Sequence, residues 1–215
     1  FEGVSNDENI HVIILQSDPS KAFCAGASFD ELLAVKTPEE GKNFFMGFAN
    51  VINAMRGCSQ PIIGRIHGKA VGGGVGLIAA CDYALATTQT EIKLSEIAIG
   101  IGPFVIAPAV LRKIGTAALS ELSLAAHLWK SADWAHAKGL ISELHSDFYA
   151  LEEAVTQHAN RLAAYAPQAL AELKKALWKG TEDWDNLLEH NAAVSGRLVL
   201  SERTQQTLHQ LKSKS

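Results

Sequence analysis

The chain has 215 residues, of which 47% are apolar and 20% charged, with a formal net charge of −4. That length supports one substantial core. The charge is too evenly spread to grip a nucleic acid or an anionic membrane, and no apolar run approaches the roughly 20 residues of a membrane span. Cys24, Cys58 and Cys81 are odd in number and form no C-x-x-C pair, which argues against a disulfide framework or a zinc knuckle and for a reducing, cytoplasmic setting.

Phe1-Glu2-Gly3 lacks the basic-then-apolar pattern of a signal peptide and runs almost directly into the first strand, as though the start of a larger domain were absent. Ile10 to Gln16 is β-branched and mostly apolar, which predicts a strand covered on both faces. Phe23 to Ala27 is a segment of small residues, after which Ser28 can cap a helical turn through Leu33. Thr37-Pro38-Glu39-Glu40 combines an N-cap, a proline at the first helical position and a capping-box glutamate. Phe44, Phe48, Val51, Ile52 and Met55 then recur at helical spacing until Gly57.

Pro61 to His67 reads as a second strand. The stretch Gly68 to Asp82 follows, dense in glycine and opening a buried helix, and Tyr83–Ala86 and Glu91–Leu94 read as short strands. Strands alternating with helices predict an α/β core. From Val105 the pattern turns helical, with stops at Gly115 and Gly139 and one more strand from Leu140 to His145. Three amphipathic helices form the tail: one striped by Leu151, Val155 and Leu162, one starting at Pro167 and closed by Gly180, and one capped by Thr181.

Gly74-Val75-Gly76-Leu77-Ile78-Ala79 matches G-x-G-x-x-A, with Glu96 twenty residues beyond Gly76, so a dinucleotide-binding turn is one reading. Against it, three consecutive glycines are not needed for a pyrophosphate turn. Gly26-Ala27-Ser28-Phe29-Asp30 starts like a nucleophile elbow but ends in an acid where glycine is required. The eight histidines show no metal-ligand spacing.

Two small-residue segments, Phe23 to Ala27 and Val71 to Gly74, could each present a backbone N–H at the entry to a helix. Two such donors meeting at one oxygen make an oxyanion hole. The same segments are equally compatible with tight turns chosen for packing. Glu96 stands among Leu94, Ile97, Ile99 and Ile101, where desolvation would raise a carboxyl pKa into the range useful for proton transfer.

Taken together, Ala22 to Ala27, Gly68 to Asp82 and Ser95-Glu96-Ile97 to Pro103 resemble the crotonase family, the enoyl-CoA hydratase/isomerase superfamily, in order and spacing from about Ile10 onward. The resemblance implies a crotonase-like spiral of strand-strand-helix turns over residues 1–145, with the family's first strands missing ahead of Phe1. A helical C-terminal region over 146–215 would build a homotrimer or homohexamer. It further implies an acyl-CoA substrate, coenzyme A being part of that substrate and no separate cofactor or metal being needed. The thioester oxygen would lie between the N–H groups of Ala27 and Gly73, with Ala25 beside the adenine end and Ser28, Gly72, Gly76, Pro103 and Phe104 around the ligand. Lys212 or Lys214 could reach a CoA phosphate.

Two departures from the family pattern bear on the reaction. Hydratases of the family carry two glutamates, and Gly76 stands at the first place while Glu96 keeps the second. Moving a proton along an allylic system needs one carboxylate, so isomerisation of a 3-enoyl to a 2-enoyl thioester is favoured over hydration. A glutamate restored at Gly76 would be expected to raise hydration. Pro103-Phe104 replaces a glycine-rich turn, which is similar to some mitochondrial enoyl-CoA isomerases and would give a drier, tighter acyl pocket. The alternatives are an enoyl-CoA hydratase and a non-catalytic acyl-CoA-binding protein.

Overall fold

A computed structural model describes residues 1–5 and 7–213, so Lys214 lies outside the described residues. After a helical turn, α1 (Glu2–Ser5), the chain enters β1 (Ile13–Gln16) and passes through the small-residue segment to α2 (Phe29–Ala34). Ser28 caps α2 as its sequence predicts, its Oγ accepting from Glu31 N at 3.4 Å. The long helix α3 (Pro38–Gly57) starts where its cap signal places it, with Thr37 Oγ1 accepting from Glu40 N at 3.2 Å. Glu40 reaches back to accept from Lys36 N at 2.7 Å, one residue earlier than a standard capping box.

Next come β2 (Ile62–Ile66), β3 (Lys69–Val71), α4 (Gly73–Ala80), β4 (Tyr83–Thr87) and β5 (Glu91–Lys93), then a 3-10 turn at Ile97–Ile99. Two sheets result. One has the order β1-β2-β4 and closes on β7 (Glu143–His145), every pair parallel; the other pairs β3 with β5 in parallel and β5 with β6 (Lys130–Ser131) antiparallel. Parallel neighbours need a crossover between them, and α3, α4 and the later helices supply it. β2 is buried along its whole length. β1 is not: it starts three residues later than its sequence suggests and lies at the sheet edge, with Ile14 and Gln16 exposed, so the expectation of cover on both faces is corrected.

Two helical segments, joined as α5 (Ala107–Leu124), break at Gly115, whose φ of +73° only glycine takes without strain. α6 (Ala132–Ala137) ends just before Gly139. The tail holds four helices rather than three: α7 (Phe148–Ala163), α8 (Pro167–Leu177), α9 (Trp184–Leu198) and α10 (Glu202–Lys212). Thr181 does not cap α9. Its hydroxyl donates instead to Trp178 O at 2.7 Å, and α9 begins two residues later behind Asp183.

α7 lays Leu151 and Val155 on Ile63 and Leu85 of the parallel sheet, while the larger core fills the space between the two sheets, α3, α4, α5 and α9. α3 and α9 meet backbone to backbone. A Cβ at Gly41 would come within 2.6 Å of Gly196 O, so the pair of glycines sets this spacing.

Asp82, after α4, joins four parts of this frame. Its carboxylate accepts from Ile62 N at 2.8 Å and Trp178 Nε1 at 2.9 Å and pairs with Lys174 Nζ at 3.0 Å, and Lys174 in turn donates to Gln60 O at 2.8 Å. Lys174 is 4% exposed, so removing the acid strands a buried cation. Asp82→Ala should therefore cost about 3–5 kcal/mol, read as a lowered urea midpoint; a midpoint within experimental scatter of wild type would refute this role.

Candidate active site

A parallel bridge between Cys24 and Ala70 brings the two small-residue segments side by side, Cys24 N donating to Lys69 O at 3.2 Å and Val71 N to Cys24 O at 2.9 Å. The bridge fixes the 25–27 turn next to the entry of α4. That helix begins behind Gly72, whose φ is +55° and whose N–H donates to Lys93 O at 2.9 Å, tying the turn to β5. Behind the next residue the ring of Phe48 closes the space: a Cβ on Gly73 would lie 2.1 Å from Phe48 Cε1.

The N–H groups of Ala27 and Gly73 have no acceptor among the described residues. Gly73 is the first residue of a helix, where an N–H has no partner within the helix and meets the positive end of the dipole. Both residues line one cavity of about 110 Å³. Two unpaired amide donors on the wall of a small cavity can hold a negatively charged oxygen.

Glu96 enters the same cavity from the start of the 3-10 turn, where its carbonyl accepts from Ile99 N at 3.2 Å and Ile101 N at 3.0 Å. Its carboxylate lies against Gly72: a Cβ there would sit 2.9 Å from Glu96 Oε1, so both the backbone angle and the acid require glycine. Oε2 is shut away from solvent without a hydrogen-bond partner. Burial pushes this carboxyl up to about 7, against a smaller lowering by the main-chain N–H groups of Glu96 and Ser95. An acid at that value takes and returns protons near neutrality.

Of the residues expected from the sequence, Ala25, Ala27, Gly72, Gly73, Glu96 and Pro103 line this cavity. Three lie elsewhere. Ser28 is engaged as the cap of α2. Gly76 is turned onto Ile106, whose Cγ2 would be 2.4 Å from a Cβ at that position. Phe104 folds back over Gly102, its carbonyl accepting from Asn191 Nδ2 at 2.9 Å, and leaves the inner wall to Gly102, Pro103, Val105 and Ile106. Val105 and Ile106, next in the chain, line the cavity.

Sequence reasoning missed the wall from α3, although Phe48 belongs to a visible helical stripe, and it missed Ser195 of α9, which lines the cavity from within the small-residue run Ala192 to Gly196. Nothing in that run signals a site. Among the described residues no cluster of three or more His, Cys, Asp or Glu side chains is placed to hold a metal ion, and no helix is long and apolar enough to cross a membrane.

The Enoyl-CoA hydratase/isomerase family model matches residues 1–213. The chain is 27% identical to a peroxisomal Delta(3,5)-Delta(2,4)-dienoyl-CoA isomerase of Arabidopsis thaliana, with 92% of this chain and 76% of that protein covered. It is also 27% identical to a short-chain-enoyl-CoA hydratase of Clostridium acetobutylicum, over 93% of this chain and 76% of the relative. Among solved structures, an enoyl-CoA hydratase from Mycobacterium avium superposes with a TM-score of 0.86 at 27% identity, covering 99% of this chain and 80% of that one. The two sheets, the paired turns and the match along nearly the whole length agree: the chain belongs to the crotonase family, the enoyl-CoA hydratases and isomerases.

Proposed function

We propose that the protein moves a double bond in an enoyl-CoA thioester from C3 to C2, with Glu96 as the single acid and base. The observation that carries this is that Glu96 is the one titratable side chain lining the cavity among the described residues. Its ionised carboxylate takes a proton from C2 of the 3-enoyl thioester. The electron pair moves onto the thioester oxygen, where the amides of Ala27 and Gly73 receive the charge. The double bond re-forms between C2 and C3 as the same carboxyl returns the proton to C4, so nothing is gained or lost.

Hydration asks for more: one group to orient water and another to move the proton. At Gly76, the place of a second carboxylate in the family's hydratases, Ile106 fills the space a longer side chain would enter. The hydratase named among the similar proteins makes hydration the second reading. Incubation with 3-enoyl-CoA and with 2-enoyl-CoA, followed by mass analysis, separates the two. Isomerisation leaves the mass unchanged, and a water adduct as the main product would replace the first reading with the second.

Glu96→Gln should lower turnover by about 10²–10⁴-fold, the usual span of general acid–base catalysis, while the thioester still binds. Undiminished turnover would remove Glu96 from the mechanism. Because the base must be ionised, kcat/KM for the 3-enoyl substrate should climb about tenfold per pH unit below 7 and level off above it.

Stability runs the other way. A carboxyl whose folded value, about 7, lies above its ordinary 4.5 favours the protonated form in the fold, so wild type loses stability as pH rises across that window. Glu96→Gln should be spared this loss, its melting temperature gaining on wild type between pH 5 and pH 8 by about 2–4 °C for each kcal/mol relieved. An unchanged difference across that range would show that the carboxylate is better solvated than its surroundings indicate.

Gly76→Glu alone drives into Ile106, so the acid must come with Ile106→Ala. The double variant should yield water adduct from 2-enoyl-CoA where the parent yields little. No adduct would count against a missing carboxylate as the reason hydration is weak.

A further inference from the structure

Ser195 Oγ is a buried polar atom with no hydrogen-bond partner, and Ser195, 1% exposed, lines the Glu96 cavity. Serine inside a helix ordinarily turns its hydroxyl back to the carbonyl four residues earlier. Here that bond is absent, and the neighbouring contact of Gly196 on Gly41 holds this turn of α9 hard against α3. The same cavity is lined by the hydrocarbon of Leu32, Phe45, Phe48, Ile99 and Ile101. An unpaired hydroxyl in such a setting is costly by itself, and alanine would fill the same place without the cost. Its presence makes sense if a ligand completes it.

Resting on the acyl-CoA reading above, we propose that Ser195 is a specificity-determining residue, donating a hydrogen bond to an oxygen carried on the acyl chain, so that the preferred substrates are oxygen-bearing enoyl-CoA thioesters rather than plain hydrocarbon chains. The hydroxyl takes no part in proton transfer. It discriminates because a plain chain leaves a buried donor unpaired, and a site built to hydrogen-bond a substrate group rejects analogues that lack it more sharply than an apolar pocket rejects a missing methylene.

The test is binding, with unreactive saturated thioesters, so it does not depend on which reaction occurs. Calorimetry compares hexanoyl-CoA with 4-oxohexanoyl-CoA and 5-oxohexanoyl-CoA on wild type, Ser195→Ala and Ser195→Cys. Wild type should bind at least one oxo thioester about tenfold more tightly than hexanoyl-CoA, and both variants should bring that ratio close to one, thiol being a weak donor. A wild-type ratio near one for both oxo thioesters, or a preference that survives both substitutions, overturns the proposal and leaves a hydroxyl satisfied by buried water. Loss of the 3-enoyl-CoA reaction itself would sink the isomerase reading, while these ratios would still decide the role of Ser195.

Discussion

Everything in the site turns on one carboxylate pressed against backbone. Glu96 lies over Gly72 with one oxygen unpartnered, in a wall of amides, hydrocarbon and two serines. Such a group opposes folding, since burial disfavours its charged form and no cation pairs with it among the described residues. The surrounding structure must over-determine its position, and it does so from three directions. The 3-10 turn pins its carbonyl through Ile99 and Ile101; β5 holds Gly72 through Lys93 O; and α10 buttresses the turn, Thr204 Oγ1 donating to Gly100 O at 3.1 Å. A perturbed acid in a cleft is the expected signature of a proton-transfer site, and burial is what keeps its affinity for protons high.

The packing of Ile106 on Gly76 is what the proposed one-carboxylate chemistry rests on. Both residues are buried, and a Cβ on Gly76 would run into Ile106, which also lines the cavity. An apolar side chain seated where a second acid would project removes more than a charge. It removes the polar niche in which a water could be held, since such a molecule needs two or more partners. In the proposed one-base reading, the missing acid and the apolar contact of Ile106 belong together, and a single substitution at residue 76 alters only one of them.

Much of the frame is legible along the chain because it is written in local signals. Thr37 with Pro38 starts α3, Gly115 breaks α5, and the apolar spacing of α7 and α8 is clear. The elements that escape notice are those whose stability is tertiary. β3 and β6 are too short to carry a period, and α10 is polar apart from a few positions such as Leu208 and Leu211 and is held by its contacts with α2 and the 3-10 turn. At the site, the type of each group is readable but its direction is not. Glu96 reveals itself by apolar neighbours, yet whether Phe104 or Ile106 lines the cavity depends on how the Phe104 ring folds back over Gly102, with the Phe104 carbonyl accepting from Asn191 Nδ2. Ser195 is invisible in sequence because a serine in a run of small residues reads as close helix packing, which here is also true of its neighbour Gly196.

The C-terminal helices consequently do two jobs at once. α9 sits on α3 closely enough for main chain to touch main chain, and the same turn delivers Ser195 to the cavity; α10 closes on the turn that bears Glu96, with Lys212 paired to Asp30 of α2 beside the small-residue segment. Most of the cavity wall comes from residues 25–106, and α9 adds Ser195 to it from far along the chain. Its polarity can be tuned from α9 without disturbing the amides of Ala27 and Gly73, because those are fixed by the Cys24–Ala70 bridge on the opposite side of the chain order. In the proposed reading, charge stabilisation and selectivity then fall to different segments: the early turns supply the amides, and α9 adds one hydroxyl to a wall otherwise built from residues 25–106.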